Sequence, residues 1–424
     1  MSILIKGGRV IDVASGVNNV MDVFIRRGKV VRLSKGLRPG AEKVIIDARG
    51  KLVLPGLVDM HCHLRQPGRD DEETLESGAK AAAKGGWTTI ACMPNTSPAI
   101  DCGAVAEWIG GESRRIGLVN IVPVGAITRG RKGRELANIG ELVRAGVCAI
   151  SDDGNCVEDT GVMRRALEYA RQFGLAVISH CEDMGLSAAG QINEGRLSTL
   201  LGLAGIPDIS EAIIVAREIE LARFLETKIH LAHISCARSV ELIRRAKQDG
   251  LKVSAETCPH YFSLDERAVS DYDTFAKVNP PLRRPEDVVA IKQGLRDGVI
   301  DCIATDHAPH CQAEKEMSFG QAPFGMIGLE TALSLAITEL VDKKIIDWMG
   351  LAQKMSYNPA RILGLDKPGI CPGADADIIV VDPRKERTVV PEEIASLSKN
   401  TPFLGCRLKG AVEYTICRGN IIYQ

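Results

Sequence analysis

Between residues 54 and 364 the chain alternates short apolar runs with longer amphipathic ones. The short runs read LVLPGLVDM, WTTIACM, VNIVPVGA, VCAIS, LAVIS, KIHLAHI, LKVSAE and DCIAT, each of strand length. Segments such as TLESGAKAAAKGG, GVMRRALEYARQFG and SVELIRRAKQDG lie between them, with apolar residues at helical spacing and glycine near the end. Eight strand-like runs joined by helical segments fit an α/β (β/α)8 TIM-like barrel better than an open doubly wound sheet. No G-x-G-x-x-G follows the first run, which weakens the dinucleotide-binding form of the open-sheet alternative.

The two ends of the chain read differently. SILIKGGRVID, MDVFIRRGKVVRL and KVIID are short strands separated by turns, and ADIIVVD, EYTICRG and NIIYQ return to that style. The expected organisation is a small β-sandwich domain from residues 1–53 plus 365–424, enclosing a barrel at 54–364. Lys plus Arg (53) nearly cancel Asp plus Glu (54), which leaves no basic field for nucleic acid or a membrane surface and points to a small-molecule or protein partner. Neither a signal pattern nor an apolar run of membrane-spanning length is present, so the reading places the chain in the cytoplasm. Thirteen scattered cysteines without a C-x-x-C pair read as small buried hydrophobes kept reduced. Cys62 and Cys181 adjoin candidate ligands, but neighbours on a strand face opposite ways, so neither is expected to bind an ion.

Active sites of such barrels lie at the C-terminal ends of the strands, so the residues closing each apolar run carry the functional signal. In order they are His61 and His63, Asn95, Asp152 or Asp153, His180, His233, and Asp306 with His307. His61 and His63 share a strand face, and imidazoles with carboxylates are the ligands of zinc or a similar transition metal. His230, three residues before His233, is expected on the opposite face, packed toward the helices, and His260 is expected outside the site. So many ligands exceed one tetrahedral ion but suit two sharing a carboxylate and a water, an arrangement that acidifies the water and polarises a carbonyl. The implied chemistry is hydrolysis or its reversal.

HCHLRQPG, MPNT, DDG, SHCED, AHIS and ATDHAPH, with GGRVID near the start, NPAR at 358–361 and GADADIIVVD near the end, together resemble the cyclic amidohydrolases, most closely the bacterial class I dihydroorotases. The resemblance runs over essentially the whole chain. It implies two zinc ions, one on His61, His63 and Asp306, the other on His180 and His233, with Asp153 bridging. Related hydantoinases bridge with a carboxylated lysine on the fourth strand; LVRAGVCAISDDG offers none, and the shorter aspartate makes the second site the weaker one. Arg65 and Asn95 match the family's carboxylate-binding pair, and His63, Asn279, His310 and the backbone at Phe324 and Gly325 match further substrate contacts.

The activity so implied is reversible cyclisation of N-carbamoyl-L-aspartate to (S)-dihydroorotate, with Asp306 as catalytic base and then acid. A homodimer and an association with aspartate transcarbamoylase are the implied partnerships. The rivals are a hydantoinase or dihydropyrimidinase, which would lack the arginine, and a silent scaffold, which would have lost histidines. Two local features remain: Gln66 stands where the family has Asp or Glu, and the polar segment from Cys311 to Pro323 reads as a lid or an ordinary surface loop.

Overall fold

Eight strands follow one another in parallel: Leu57–Cys62, Trp87–Cys92, Asn120–Ala126, Ala149–Ser151, Ala176–Ser179, Ile229–Leu231, Val253–Thr257 and Cys302–Ile303. In this computed structural model, which describes residues 2–38, 40, 44–187 and 189–424, each strand pairs with the next, and a bridge between Cys62 and His307 joins the last to the first. The expected (β/α)8 barrel is the architecture found.

Both faces of this sheet are buried, which is why the runs are continuously apolar rather than alternating. Val58, Met60, Ala91, Met93, Val124, Ala149, Ile178 and Ala232 fill the interior. Leu57, Ile90, Ile150, Val177 and Leu231 meet the helices outside. The helix Leu75–Gly85 shows how a local segment is delimited: Thr74 and Ser77 cap its first turn reciprocally, and Gly86 ends it at φ 88°. Its buried alanines at 79 and 81–83 let it lie close against the barrel.

The run read as one strand, LVLPGLVDM, divides at Gly56. A β-carbon there would come within 2.1 Å of Thr88 Oγ1, so only glycine lets the two chains approach so closely. Leu52–Pro55 joins a different sheet, where it pairs antiparallel with Ile378–Val381 and brings the C-terminal strands onto the N-terminal ones. That sheet forks at Ser2–Asp12, and its branches share a core that includes Ile5, Val23, Ile46, Val53 and Val380. The first residue of KVIID, Lys43, lies outside the described residues; Val44–Asp47 is a strand. Among the described residues no helix is long and apolar enough to cross a membrane.

Candidate metal centre and substrate cavity

At the end of the first barrel strand the register slips between Asp59 and Cys62. Met60 packs inside the barrel and Cys62 outside, and the slip brings His61 and His63 together at the mouth. Three residues around this mouth adopt left-handed backbone: Arg65 (φ 60°), His233 (φ 33°) and Asp306 (φ 45°). Each such non-glycine residue costs on the order of 1–3 kcal/mol, so the surrounding contacts must hold the geometry.

Asp153 lies at the centre of the cluster. Its Oδ2 is 3.3 Å from His61 Nε2 and 3.4 Å from His63 Nε2. Its Oδ1 is 3.4 Å from His233 Nε2 and 3.6 Å from His180 Nδ1. One carboxylate thus divides between two histidine pairs. Asp306 Oδ1 lies 3.1 Å from His63 Nε2 and 3.7 Å from His61 Nε2. His61, His63 and Asp306 form one set of convergent ligand atoms, and His61, Asp153 and His233 another.

The proton arrangement favours a cation here. His61 Nδ1 is 2.6 Å from Glu256 Oε1, His63 Nδ1 is 2.8 Å from Asn95 Oδ1, and His180 Nε2 is 2.8 Å from Glu182 Oε2. Protons held on those outer nitrogens leave His61 Nε2, His63 Nε2 and His180 Nδ1 as bare lone pairs aimed at carboxylates or at His233 Nε2, 2.8 Å from His180. His61 Nε2 and Asp153 Oδ1 are buried with no hydrogen-bond partner. Facing lone pairs repel unless protons or a metal ion lie between them. Without an ion, protons do so: burial alone would lower the His180 pKa, but hydrogen bonds and charge from Asp153 and Glu182 lift it to about 10. Burial would likewise raise Asp153, yet the charge of His61 and the histidine hydrogen bonds hold it well below the carboxylate range. A divalent cation replaces those protons with the same sign of charge. The residues therefore fit a metal centre.

Beside the cluster opens a cavity of about 200 Å³, lined by His63, Arg65, Asn95, Asp153, His180, His233, Asn279, Asp306, His310, Phe324 and Gly325 among others. Of the residues that the resemblance assigns to metal or substrate, all line it except His61, which lies beneath it, fully buried. Arg65 Nε is 3.0 Å from Glu72 Oε2 and donates to the Pro309 carbonyl, while Nη2 lies 3.2 Å from His310 Nε2. Glu72 Oε1 lies 2.9 Å from His310 Nδ1, so one buried carboxylate orients both cavity side chains. Asn95 accepts through Oδ1 and keeps its amide nitrogen available, and Asn279 Nδ2 donates to Glu182 Oε2 at 2.9 Å.

Residues 50–239 match the family model described as Dihydro-orotase-like. A dihydroorotase of Pelotomaculum thermopropionicum is 52% identical over 100% of this chain and 99% of its own length. A dihydroorotase of Geobacter metallireducens is 49% identical over the full length of both. The chain belongs to the dihydroorotase family. Among solved structures, a dihydropyrimidinase from Brevibacillus agri superposes with TM-score 0.86 at 25% identity, covering 100% of this chain and 95% of that one. The L-hydantoinase of Arthrobacter aurescens, at 24% identity, shares the fold with TM-score 0.88 over 100% of this chain and 96% of its own.

Within this family member the sequence expectations for His230 and His260 are overturned. His230 does not pack toward the helices: it points into the barrel, with Nδ1 2.8 Å from Ser254 Oγ and Nε2 3.3 Å from Glu256 Oε2. Strict alternation failed because the left-handed backbone at His233 turns that residue inward as well. His260 is buried, its Nε2 has no hydrogen-bond partner, and it lies within ligand distance of Asp306 and Cys258, closer to the site than expected. Burial pushes its pKa down to about 4. His307 instead turns away, toward Glu73 and the Gly328 amide.

The choice between Asp152 and Asp153 resolves by geometry. Asp152 accepts from the amides of Ile127 and Thr128 and from the Thr128 hydroxyl, leaving Asp153 to the cluster. Gln66 is a structural tie: its Oε1 accepts from Leu75 N and its Nε2 donates to Asp70. Glu72, Glu182 and Glu256 went unnoticed in the sequence. Only Glu182 carried a signal, standing two residues after His180 as His63 stands after His61.

Proposed function

We propose that this chain is a zinc-dependent dihydroorotase that interconverts N-carbamoyl-L-aspartate and (S)-dihydroorotate plus water, the third step of pyrimidine synthesis. The observation that carries the reading is the pairing, in one cavity, of Asp153 divided between two histidine pairs with a buried arginine held by Glu72. A metal cluster alone suits any cyclic amidase. An arginine beside it suits a ring that bears a carboxylate.

We assign one zinc to His61, His63 and Asp306 and a second to His180 and His233, with Asp153 between them. The bound ions would supply an acidified water and polarise the ring amide carbonyl. Arg65 grips the ring carboxylate through its guanidinium edge, assisted by the Asn95 amide and by His310. That grip sets the scissile amide over the cluster, where Asp306 can work. Burial would raise the Asp306 pKa, but the His63 hydrogen bond and the charges of His61 and His63 hold it far below neutrality, so it stands ionised to accept a proton. It takes the proton of the attacking water and returns it to the ring nitrogen as the amide bond breaks.

The hydantoinase reading draws on the fold neighbours, and the Arg65–Glu72 pair weighs against it. A silent scaffold is disfavoured by the four histidines converging on Asp153. Thirteen unpaired cysteines support a reducing compartment, the cytoplasm. A homodimer and an association with aspartate transcarbamoylase complete the proposal, on family membership alone. The test is metal content of the purified protein together with turnover of dihydroorotate, hydantoin and dihydrouracil. One to two zinc per chain with selective dihydroorotate turnover supports the reading; preference for a neutral ring overturns it.

A further inference from the structure

Two lysines lie under one wall of the cavity, and neither meets a carboxylate. Lys277 and Lys315 are each 2% exposed, and among the described residues no acidic side chain stands within ion-pair distance of either ammonium. Lys277 Nζ donates to Gln191 Oε1 at 2.6 Å, the Phe319 carbonyl at 2.6 Å and the Ala322 carbonyl at 2.7 Å. Lys315 Nζ donates to the carbonyls of Pro323 at 2.9 Å and Gly325 at 3.0 Å. The Phe324 ring lies 4.5 Å from Lys277 Nζ, within cation–π distance. The Gly325 amide returns a bond to the Lys277 carbonyl at 2.8 Å.

Three short bonds to oxygen acceptors saturate the Lys277 ammonium; a neutral amine would turn a lone pair toward one of those oxygens. The geometry therefore calls for the charged form of Lys277. Burying a cation without a counter-ion is costly, and a plain structural tie could be made by a neutral amide. What the pair holds is specific: four main-chain carbonyls of residues 319–325, a stretch that ends in Phe324 and Gly325 at the cavity wall.

We propose that Lys277 and Lys315 are positioning residues for substrate binding: their side-chain amino groups clamp residues 319–325 so that Phe324 and Gly325 form a fixed wall against an anionic ring. The substrate class rests on the dihydroorotase reading above. The clamp acts before the chemistry, on the bound geometry, because neither lysine reaches the cluster around Asp153. It also explains why the polar Cys311–Pro323 segment is folded onto the barrel, its short helix Gln312–Lys315 placing Lys315 inward.

The experiment uses the full-length zinc-loaded protein and the variants Lys277→Met and Lys315→Met. Steady-state kinetics with dihydroorotate, the dissociation constant of orotate, zinc content and hydrogen exchange over residues 316–327 are measured for each. The expected result is a KM and an orotate dissociation constant raised at least tenfold, kcat changed less than threefold, unchanged zinc, and faster exchange across 319–325. An unchanged KM alongside a lowered Tm makes the lysines merely structural and overturns the proposal, as does a loss confined to kcat. If the methionine variants do not fold, Lys277→Gln and Lys315→Gln carry the same comparison, because an amide keeps donors for the carbonyls while removing the charge. If the wild type fails to turn over dihydroorotate, the functional reading falls separately. Exchange then decides the clamp: faster across 319–325 in the variants supports it, and unchanged exchange overturns it.

Discussion

Replacing Arg65 by methionine keeps an unbranched apolar stem and removes the guanidinium with its five donors. In the free protein Arg65 is buried against Glu72, the Pro309 carbonyl and His310. Its loss does not strand Glu72, because Arg69 Nη2 lies 3.2 Å from Glu72 Oε1 and His310 Nδ1 is also bonded there. The fold should therefore survive, and the cost should fall on the ligand. A substrate carboxylate facing methionine loses charge-assisted bonds of roughly 1.5–3 kcal/mol each. Truncating one partner of a buried charged pair costs roughly 2–5 kcal/mol in all. Since Arg65 already shares its charge with Glu72, the lower half of that range applies, roughly 2–3.5 kcal/mol. At about 1.4 kcal/mol per factor of ten, kcat/KM for dihydroorotate should fall ~30- to ~300-fold. The assay compares dihydroorotate with dihydrouracil, the same ring without the carboxylate, whose residual turnover should change by less than about threefold. An unchanged kcat/KM for dihydroorotate refutes the carboxylate assignment. An equal fall for both rings refutes it too, because Arg65 would then act through the metal cluster.

Asp306→Asn keeps an oxygen ligand but cannot take a proton; turnover should drop ~10²- to ~10⁴-fold with zinc retained, as read by stopped-time assays beside metal analysis. Glu256→Gln weakens the proton-holding partner of His61 Nδ1, and metal affinity measured by competition with a chelator should fall ~10- to ~100-fold. For the metal-free protein the sign of a pH effect follows from His180. Its pKa is raised to about 10, against about 6.5 in an unfolded chain. Its contribution to stability is thus complete below about pH 6.5 and lost as pH rises toward 10. The Tm of chelator-stripped protein should decline between about pH 7 and 10, whereas a flat profile would place the proton elsewhere.

Much of the architecture is legible in the sequence because it rests on local periodicity. Eight apolar runs with helical segments between them require a parallel sheet covered on both faces. Where each run ends, the pattern brings its last residues to the mouth, so His61, His63, His180, His233 and Asp306 stand out without any knowledge of their contacts, while Asp152 and Asp153 stay unresolved until their partners are seen. The β-rich ends likewise announce a sheet, and the pairing of Leu52–Pro55 with Ile378–Val381 only joins what composition had already matched.

Periodicity stops where the backbone leaves ideal geometry. The slip between Asp59 and Cys62 and the left-handed turn at His233 decide which way His61 and His230 face, and neither can be counted off a strand. Glu72 meets His310 from 238 residues away and Glu256 meets His61 from 195. A lone glutamate in an acidic run or on a buried strand carries no mark of such a partner. The same holds for Lys277 and Lys315, which look like ordinary surface lysines until the carbonyls of 319–325 close around them. The sequence by itself determined the barrel, the domain built from both ends and the residue types brought to one mouth, since these follow from short-range alternation. Only the tertiary structure decided which carboxylates hold the ligands in place and which cations hold the cavity wall, since those bonds form between segments that chain order leaves far apart.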